Sequence, residues 1–167
     1  IITGASGALC GNMAVALAEL GAKVALFDID DEGLEKKKQE IDDAGGMAEV
    51  FHCDVLNAEE ITQRNREVTE LWGAPDVLIN GAGGNHPEGS TSTEFVEQKN
   101  IGAEGITHIF DLTLEGFSKV FNLNFLGTFL PSKIISKSMA ERGDGAIVNI
   151  SSLTALTPLT KVGGYGA

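Results

Sequence analysis

Residues 1–11, IITGASGALCG, are the strongest indication of the fold class, because they join the end of an apolar strand to a helix through a glycine-rich turn. Residues 10–20 continue as a helix, with Met13, Leu17 and Leu20 predicted on one face. Unpaired N–H groups and the dipole at the start of such a helix attract a pyrophosphate, and glycines let it approach closely. The alternative interpretation is a tight turn that only packs the helix. The elements that follow in the chain distinguish between these two interpretations.

The same alternation continues along the chain. Apolar runs of strand length are predicted at 23–28, 48–53, 77–80 and 146–151, and helices at 31–44, 58–72 and 115–142. Strands that alternate with helices at this spacing indicate a parallel sheet with right-handed crossovers and helices on both faces. The predicted fold is therefore α/β, a doubly wound parallel sheet in three layers. We expect one dinucleotide-binding domain over 1–167, with its first residues and its C-terminal part outside this sequence.

Ligands of such sheets bind where the strands end at their carboxyl edge. The residues predicted at that edge are Gly4, Asp28, Asp54, Asn80 and Ser151. A connection of 30 residues, 84–113, follows the fourth strand and is far longer than the usual two to six. It is either functional or mobile.

Asp28 closes the second strand, where a carboxylate can accept hydrogen bonds from both adenosine ribose hydroxyls of NAD and repel a 2'-phosphate. Asp30 or Asp31 is instead expected to cap the following helix.

Composition excludes several classes of partner. The chain has 24 acidic and 12 basic side chains, and its net charge of −12 would repel nucleic acid. Its two cysteines, Cys10 and Cys53, have no metal-ligand spacing and are too few for a disulfide framework, so we expect no metal and a cytoplasmic protein. No stretch is long and apolar enough to predict a membrane span.

Several short motifs along the chain together resemble the short-chain dehydrogenase/reductase family. They are Ile2-Thr3-Gly4 with its nearby glycines, Asp54-Val55, Asn80-Gly81-Ala82-Gly83, Asn124, Ser151-Ser152 and Tyr165, which follows Ser152 by 13 positions. Their order and spacing are specific, whereas any one of them is common. The resemblance implies a Rossmann-type domain that binds NAD through Gly4, Ser6, Gly7, Leu9, Gly11, Asp28, Asp54, Val55, Asn80, Ala82 and Gly83.

Two of these cofactor-binding predictions have alternatives. In the family, a carboxylate like that of Asp54, with the Val55 backbone, holds the adenine amino group, although Asp54 could also cap a helix. Residues 80–83 would form a wall beside the cofactor, since no strand follows at the distance a hairpin needs. The sequence departs from the family's glycine pattern, because Ala8 and Cys10 stand where its second and third glycines would be. Gly7 and Gly11 therefore suggest a shifted turn.

The resemblance also implies three catalytic residues. Tyr165 would exchange a proton with the substrate oxygen while hydride moves to or from the nicotinamide. Ser152 would donate a hydrogen bond to that oxygen, unless it only caps the next helix. Asn124 would hold a water of the proton relay, the alternative being a satisfied helical amide. In the family a lysine four residues after the tyrosine lowers the pKa of the phenol, a position two residues past Ala167.

Five further segments resemble the D-mannonate oxidoreductase branch, which interconverts D-mannonate and D-fructuronate. They are Leu9-Cys10-Gly11, GGNHP at 83–87, FDL at 110–112, FNLNFLGT at 121–128 and LTPLTK at 156–161. A sugar acid needs donors for its carboxylate, which Asn85, His86 or Lys161 could supply. His86 is the predicted substrate contact, although a histidine beside proline also fits a simple loop residue. His52 and His108 have no partners by sequence and are expected to be structural.

Two other functions remain open. One is a dehydrogenase for gluconate or another polyol, and the other is a scaffold that senses NAD without turnover. The complete set of Asn124, Ser152 and Tyr165 argues against the scaffold. By the same resemblance, the protein is expected to form a homo-oligomer, a dimer or a tetramer.

Overall fold

The computed structural model describes residues 1–157 and 159–166, which fall into two compact units. Unit 1 comprises Ile1–Ala82 and Leu126–Ile150. Unit 2 comprises 83–125 and the described residues of 151–166. Pro158, part of the segment 156–161 that resembles the D-mannonate oxidoreductase branch, lies outside the described residues, as does Ala167.

Unit 1 is built on a five-stranded parallel sheet with the order β3-β2-β1-β4-β5. The strands are β1 (Ile2–Thr3), β2 (Lys23–Asp28), β3 (Met47–His52), β4 (Val77–Asn80) and β5 (Ala146–Asn149). The chain builds outward from β1 to β3 and then returns to the other side of β1 at β4. The order reverses between β1 and β4, the switch point at which doubly wound sheets bind their ligands. The predicted fold class is confirmed.

Helices cover both faces of this sheet. They are α1 (Ala8–Glu19), α2 (Asp31–Asp43), α3 (Ala58–Trp72) and α5 (Gly127–Arg142). Side chains of β2 alternate between the two faces, as the pleat of a strand requires. Val24 and Leu26 pack in one core cluster with residues of α1 and α2, and Ala25 and Phe27 in a second with residues of α3 and α5. Because both faces are buried, β2 is apolar at four successive positions.

Helix α1 differs from its prediction. It begins at Ala8 instead of Cys10, and its buried residues are Cys10, Gly11, Ala14 and Ala18. Met13 and Leu17 pack only partly against the core, and Leu20 is 85% exposed. The helix lies so close to the chain below it that a Cβ on Gly11 would be 2.9 Å from the Ala5 carbonyl oxygen. Small residues therefore form the contact face, and the prediction from large apolar residues was wrong for Leu20.

Unit 2 contains irregular segments and short helices. Three 3-10 turns lie in the long connection, at Pro87–Gly89, Gln98–Asn100 and Ile109–Asp111, and a fourth is at Leu153–Ala155. Helix α4 spans Leu114–Phe121 and the four-residue helix α6 spans Gly163–Gly166.

The long helix predicted over 115–142 is present from Leu114 to Arg142, but it is not α-helical throughout. A π-helical segment, Asn122–Leu126, separates α4 from α5. The side-chain nitrogen of Asn124 donates to the Val120 carbonyl at 2.7 Å, and Val120 is the residue four positions earlier. A side chain that takes this carbonyl competes with the regular helical backbone bond. The predicted span is thus confirmed, and the π-helical segment within it was not predicted.

Within the described part of the chain, no helix is both long and apolar enough to cross a membrane.

Candidate functional site

The glycine turn after β1 has a backbone that only glycine accommodates at its first position. Gly4 has φ +69°, and a Cβ there would be 2.8 Å from the Ala82 nitrogen. The Ala5 N–H donates to the Phe27 carbonyl at 3.2 Å and the Gly7 N–H to the Gly4 carbonyl at 3.1 Å. The turn is therefore fixed against β2 and the chain after β4, beside the switch point.

Helix α1 begins without any side-chain cap. Gly7 is its N-cap residue, and its first turn contains no acidic residue. By contrast, α2 is capped by Asp30 and α3 by Asn57, and both have acidic residues in their first turns. The backbone N–H groups at the positive end of the α1 dipole, at the exposed residues 7–9, are thus left without a side-chain cap or an acidic residue of the helix itself. A phosphate group fits this end, whereas the capped ends of α2 and α3 would repel one.

Gly11 has a packing role in this structure. Its N–H donates to the Gly7 carbonyl at 2.8 Å, and the residue is buried. A Cβ on Gly11 would be 2.7 Å from the Lys37 side chain. Gly7 thus lies at the exposed end of the helix and Gly11 inside it, and the predicted cofactor contact of Gly11 stays a prediction.

Asp28 ends β2 directly beside the glycine turn. Its Oδ2 accepts the Ser6 N–H at 3.0 Å, and its Oδ1 accepts the N–H groups of Ile29 at 2.8 Å and Asp30 at 3.2 Å. The carboxylate is therefore held in place by backbone donors. The N-cap of α2 is Asp30, whose side chain accepts from Gly33 at 3.1 Å, which confirms that one of the two following acids caps this helix.

Asp54 lies after β3 but does not cap α3, so that alternative was wrong. The cap is Asn57, whose side chain accepts from Glu59 and Glu60. Asp54 accepts the Leu56 N–H at 2.8 Å through Oδ1 and donates its own N–H to Glu60 Oε2 at 2.9 Å. Val55 beside it is buried. The Asp54 carboxylate is thus oriented at the carboxyl edge of the sheet, where its predicted contact with an adenine remains a prediction.

Asn80 is buried at 2% exposure and links three elements. Its Nδ2 donates to Ser132 Oγ and to Asn149 Oδ1, both at 2.8 Å, so it joins β4 to α5 and β5. Its side-chain oxygen has no hydrogen-bond partner within the described residues. The amide therefore fixes the strands, and the predicted wall of residues 80–83 beside the cofactor stays a prediction.

Sequence reasoning did not single out Thr3 as a site residue. Its buried hydroxyl accepts the N–H groups of both Gly81 and Ala82 at 3.1 Å, which holds the chain after β4 against β1. A Cβ on Gly81 would contact Cys10 Sγ, so this position also requires glycine. The signal in the sequence was a polar residue at the end of an apolar strand.

In unit 2, Asn124 holds the start of the long connection. It exchanges two hydrogen bonds with the backbone of Gly84, at 3.0 and 2.8 Å. A Cβ on Gly83 would be 2.7 Å from the Asn124 Oδ1. The alternative of a satisfied amide is therefore confirmed for the side chain of Asn124, and a role in a proton relay stays a prediction.

Ser152 and Tyr165 lie on neighbouring elements of unit 2. Ser152 Oγ accepts the Thr154 N–H at 3.2 Å and caps the 3-10 turn, as the alternative for this residue expected. A hydroxyl that accepts one bond still has its own hydrogen to donate, so the cap leaves the predicted function possible. Tyr165 is half-buried on α6, which contacts both that turn and α4.

Helix α6 approaches α4 closely at the glycine before the tyrosine. A Cβ on Gly164 would be 3.2 Å from the Phe117 ring of α4, and one on Gly166 would be 3.5 Å from the Thr154 carbonyl oxygen. The first distance is tight, so Gly164 allows the backbone before Tyr165 to pack on α4, whereas the second is an ordinary contact.

The three histidines differ in their surroundings. His86 Nδ1 accepts the Glu88 N–H at 3.2 Å and caps a 3-10 turn, so its predicted substrate contact would have to use Nε2. His108 is buried, with Nε2 at 2.9 Å from the Asn100 carbonyl oxygen, a structural role as expected. His52 does have a partner, Asp31, at 2.8 Å, because the end of β3 lies beside the start of α2. The expectation that His52 has no partner was therefore wrong.

The cysteines and the acidic groups provide no metal chemistry within the described residues. No group of three or more His, Cys, Asp or Glu side chains there could hold a metal ion. Burial raises the pKa of the Cys10 thiol, and burial, followed by the nearby Glu60 charge, raises that of Cys53 to about 12. Both cysteines are therefore unreactive thiols at neutral pH.

Comparisons with known proteins agree with this arrangement. The family described as short chain dehydrogenase matches residues 1–167. An uncharacterized oxidoreductase of Haemophilus influenzae is 42% identical over 165 residues, which are 99% of this chain and 57% of that protein. The uncharacterized oxidoreductase UxuB of Bacillus subtilis is 40% identical over 167 residues, 100% of this chain and 59% of that protein. The chain thus spans less than two thirds of the length of these relatives.

Solved structures similar to this chain are also oxidoreductases with a bound nicotinamide dinucleotide. A candidate D-mannonate oxidoreductase from Haemophilus influenzae, with bound NAD, superposes with a TM-score of 0.93 at 41% identity, over 99% of this chain and 58% of that one. An NAD⁺-bound xylitol dehydrogenase superposes with a TM-score of 0.83 at 28% sequence identity, and the match covers 99% of this chain and 56% of that one. An actinorhodin polyketide ketoreductase with NADPH superposes with a TM-score of 0.84 at 28% sequence identity, and the match covers 99% of this chain and 57% of that one. Both nicotinamide dinucleotides therefore occur among the similar structures.

Proposed function

The chain belongs to the short-chain dehydrogenase family, and from this premise we propose that it is part of an NAD-dependent oxidoreductase that interconverts D-mannonate and D-fructuronate. The observation that carries the proposal is the pairing, at one edge of the sheet, of an uncapped helix N-terminus with the carboxylate of Asp28. The first suits a pyrophosphate and the second a ribose with free hydroxyls.

The preference for NAD over NADP follows from the charge of Asp28. Its carboxylate is bonded to Ser6 and to the backbone after β2, so it cannot easily move away from a ligand. A 2'-phosphate would meet this fixed negative charge, whereas two ribose hydroxyls could donate to it. The similar structure at 41% identity holds NAD, which supports this preference.

Proton transfer is assigned to the residues of unit 2. The Tyr165 hydroxyl would give a proton to the substrate oxygen in reduction and take one in oxidation. The Ser152 hydroxyl, which already accepts from Thr154, would donate to the same oxygen and stabilise its developing charge. The nicotinamide, when bound, supplies or accepts the hydride. Asn124 would act through Gly84, since it fixes the backbone there.

A sugar acid is the proposed substrate because the similar NAD-bound structure is that of a candidate D-mannonate oxidoreductase. A polyol is the second candidate, since a xylitol dehydrogenase is also similar in structure, at the lower identity of 28%.

The test measures turnover of the purified intact protein with NADH or NADPH and a panel of keto sugar acids and neutral ketoses, by absorbance. We expect reduction of D-fructuronate with NADH. Exchange of Tyr165 for Phe should lower kcat by about 10²- to 10⁴-fold, the usual contribution of a general acid. Ser152→Ala should also lower kcat, whereas Ser151→Ala, at the neighbouring exposed serine, should not.

Three results would contradict the proposal in different ways. Turnover of neutral polyols alone would identify a polyol dehydrogenase. Cofactor binding without turnover of any substrate would identify a sensing scaffold. Full activity of Tyr165→Phe would remove the proposed proton donor.

A further inference from the structure

A small cavity lies within unit 2, beside the segment that leads into α6. Its volume is about 240 Å³. Polar residues on its wall are Thr91, Thr93, Glu94, His108 and Lys161, and apolar side chains such as that of Phe95 complete it. A mixed wall of this kind suits a small ligand with a few polar groups.

Several side-chain donors of this cavity wall already form hydrogen bonds with other protein groups. His108 Nε2 faces the Asn100 carbonyl oxygen at 2.9 Å and therefore carries the ring proton. Its Nδ1 is then an acceptor, 3.4 Å from the Thr93 hydroxyl. The Thr91 hydroxyl donates to the Thr93 carbonyl at 2.9 Å. The Lys161 ammonium is the donor on this wall that these bonds leave uncommitted.

The backbone of Lys161 is strained. It has φ +70°, and it is the one residue other than glycine with a positive φ among the described residues. Its carbonyl accepts the Thr91 N–H at 2.9 Å, which fixes this conformation against the long connection. Backbone strain of this kind in a residue that is not glycine is enriched at functional sites.

The charges of unit 2 also single out Lys161. Lys99 pairs with Glu97 at 3.0 Å and Lys119 with Glu88 at 2.8 Å, whereas Lys161 forms no ion pair with any described residue. An anionic substrate is repelled by a chain with net charge −12, so its binding requires a local positive charge. Glu94 on the same wall can accept hydrogen bonds from hydroxyl groups, as a sugar acid would offer.

We propose that Lys161 binds the carboxylate of the substrate and thereby selects sugar acids over neutral sugars. The inference rests on the proposed function and assigns its specificity to one residue. Lys161 stands four positions before Tyr165, on the segment that enters α6, so a substrate held by both would span the start of this helix.

The test compares Lys161→Asn with Lys161→Arg. Asparagine tolerates a positive φ and removes the charge, whereas arginine keeps the charge. Steady-state kinetics with NADH would be measured on D-fructuronate and on a neutral ketose, at low and high salt. Lys161→Asn should raise KM for the acid about 10- to 100-fold, as expected for a hydrogen bond to a charged group, and abolish its salt dependence. Lys161→Arg and the control Lys99→Asn should stay within a few-fold of the wild type.

The outcomes separate this inference from the proposed function. If the wild type reduces D-fructuronate and Lys161→Asn has the same KM, the inference is wrong and the function stands. An equal rise of KM for acid and neutral substrates, with the salt dependence retained, would show that Lys161 only shapes the loop, and would also overturn it. If the wild type reduces no sugar acid, the proposed function fails and the inference fails with it.

Discussion

The side-chain amide of Asn124 forms two hydrogen bonds with the backbone of one residue, Gly84, which lies 40 positions earlier in the chain. The Gly84 N–H donates to Oδ1 at 3.0 Å, and Nδ2 donates to the Gly84 carbonyl at 2.8 Å. Both residues are half-buried, which shields these bonds from competing water. Asn124 therefore fixes the first residues of the connection that also carries His86 and the cavity wall.

Removal of this amide should destabilise the protein. Asn124→Ala leaves the Gly84 N–H and carbonyl without partners, so we expect the free energy of unfolding to fall by about 1–3 kcal/mol. Urea denaturation followed by circular dichroism would measure it. Asn122→Ala, an exposed position of the same π-helical segment, is the matched control and should change stability little. Equal stability of the two variants would contradict the assigned role.

Gly81 is predicted to tolerate no side chain while Cys10 is present. A Cβ there would contact Cys10 Sγ and lie 2.9 Å from the Thr3 carbonyl oxygen, so Gly81→Ala should cost about 1–3 kcal/mol of stability through overpacking. Cys10→Ala removes the sulfur, and the double variant should recover part of this loss. A double-mutant cycle of thermal denaturation measures the coupling. Strict additivity of the two substitutions would show that the steric contact is absent.

The sequence predicted the regular parts of the fold well. The bounds of β2, α3 and β4 are those expected, because each is an uninterrupted pattern bounded by polar residues or glycine. The interruption at Asn122–Leu126 could not be predicted in this way. Asn124 in this segment bonds to the Val120 carbonyl and to the backbone of Gly84, and no local periodicity reveals such a contact 40 positions away.

In the candidate site, too, the residues that end apolar runs were predicted, whereas a contact between segments distant in sequence was not. Asp28 and Asp54 were predicted at the carboxyl edge because they follow apolar runs, and they lie there. The hydroxyl of Thr3 that holds Gly81 and Ala82 was missed, because it acts between β1 and the chain after β4, which are distant in sequence. Bonds between strands depend on register and order, and a single sequence reveals neither.

Substitution of Asp28 should change the cofactor preference. Asp28→Asn removes the charge that would repel a 2'-phosphate but keeps an oxygen for the Ser6 N–H. We expect the ratio of kcat/KM for NADH to that for NADPH to fall by about tenfold or more, since hydrogen bonds to a charged group are lost. Asp30→Ser keeps a cap on α2 and serves as control, with an unchanged ratio. A ratio unaltered by Asp28→Asn would place the ribose elsewhere.

The ion pair between Glu88 and Lys119 should give stability a defined pH dependence. The ammonium lies 2.8 and 3.0 Å from the two carboxylate oxygens, and this hydrogen bonding holds the pKa of Glu88 below its usual value and the pKa of Lys119 above its own. A lowered carboxyl pKa adds stability above the unfolded value of about 4.3, and this contribution is lost as the pH falls through the folded value.

Lys119→Met should therefore be less stable than the wild type at neutral pH, and the difference should disappear in acid, once Glu88 is protonated. Because both groups are exposed, the difference should also shrink in high salt. Urea denaturation at several pH values would measure it. In a Glu88→Gln background, the pH-dependent effect of Lys119→Met should shrink to the weaker contribution of Glu115, the other carboxylate whose charge acts on this lysine. A difference that persists unchanged into acid, or that is undiminished in the Glu88→Gln background, would assign the effect to lost packing of the lysine stem instead of its charge.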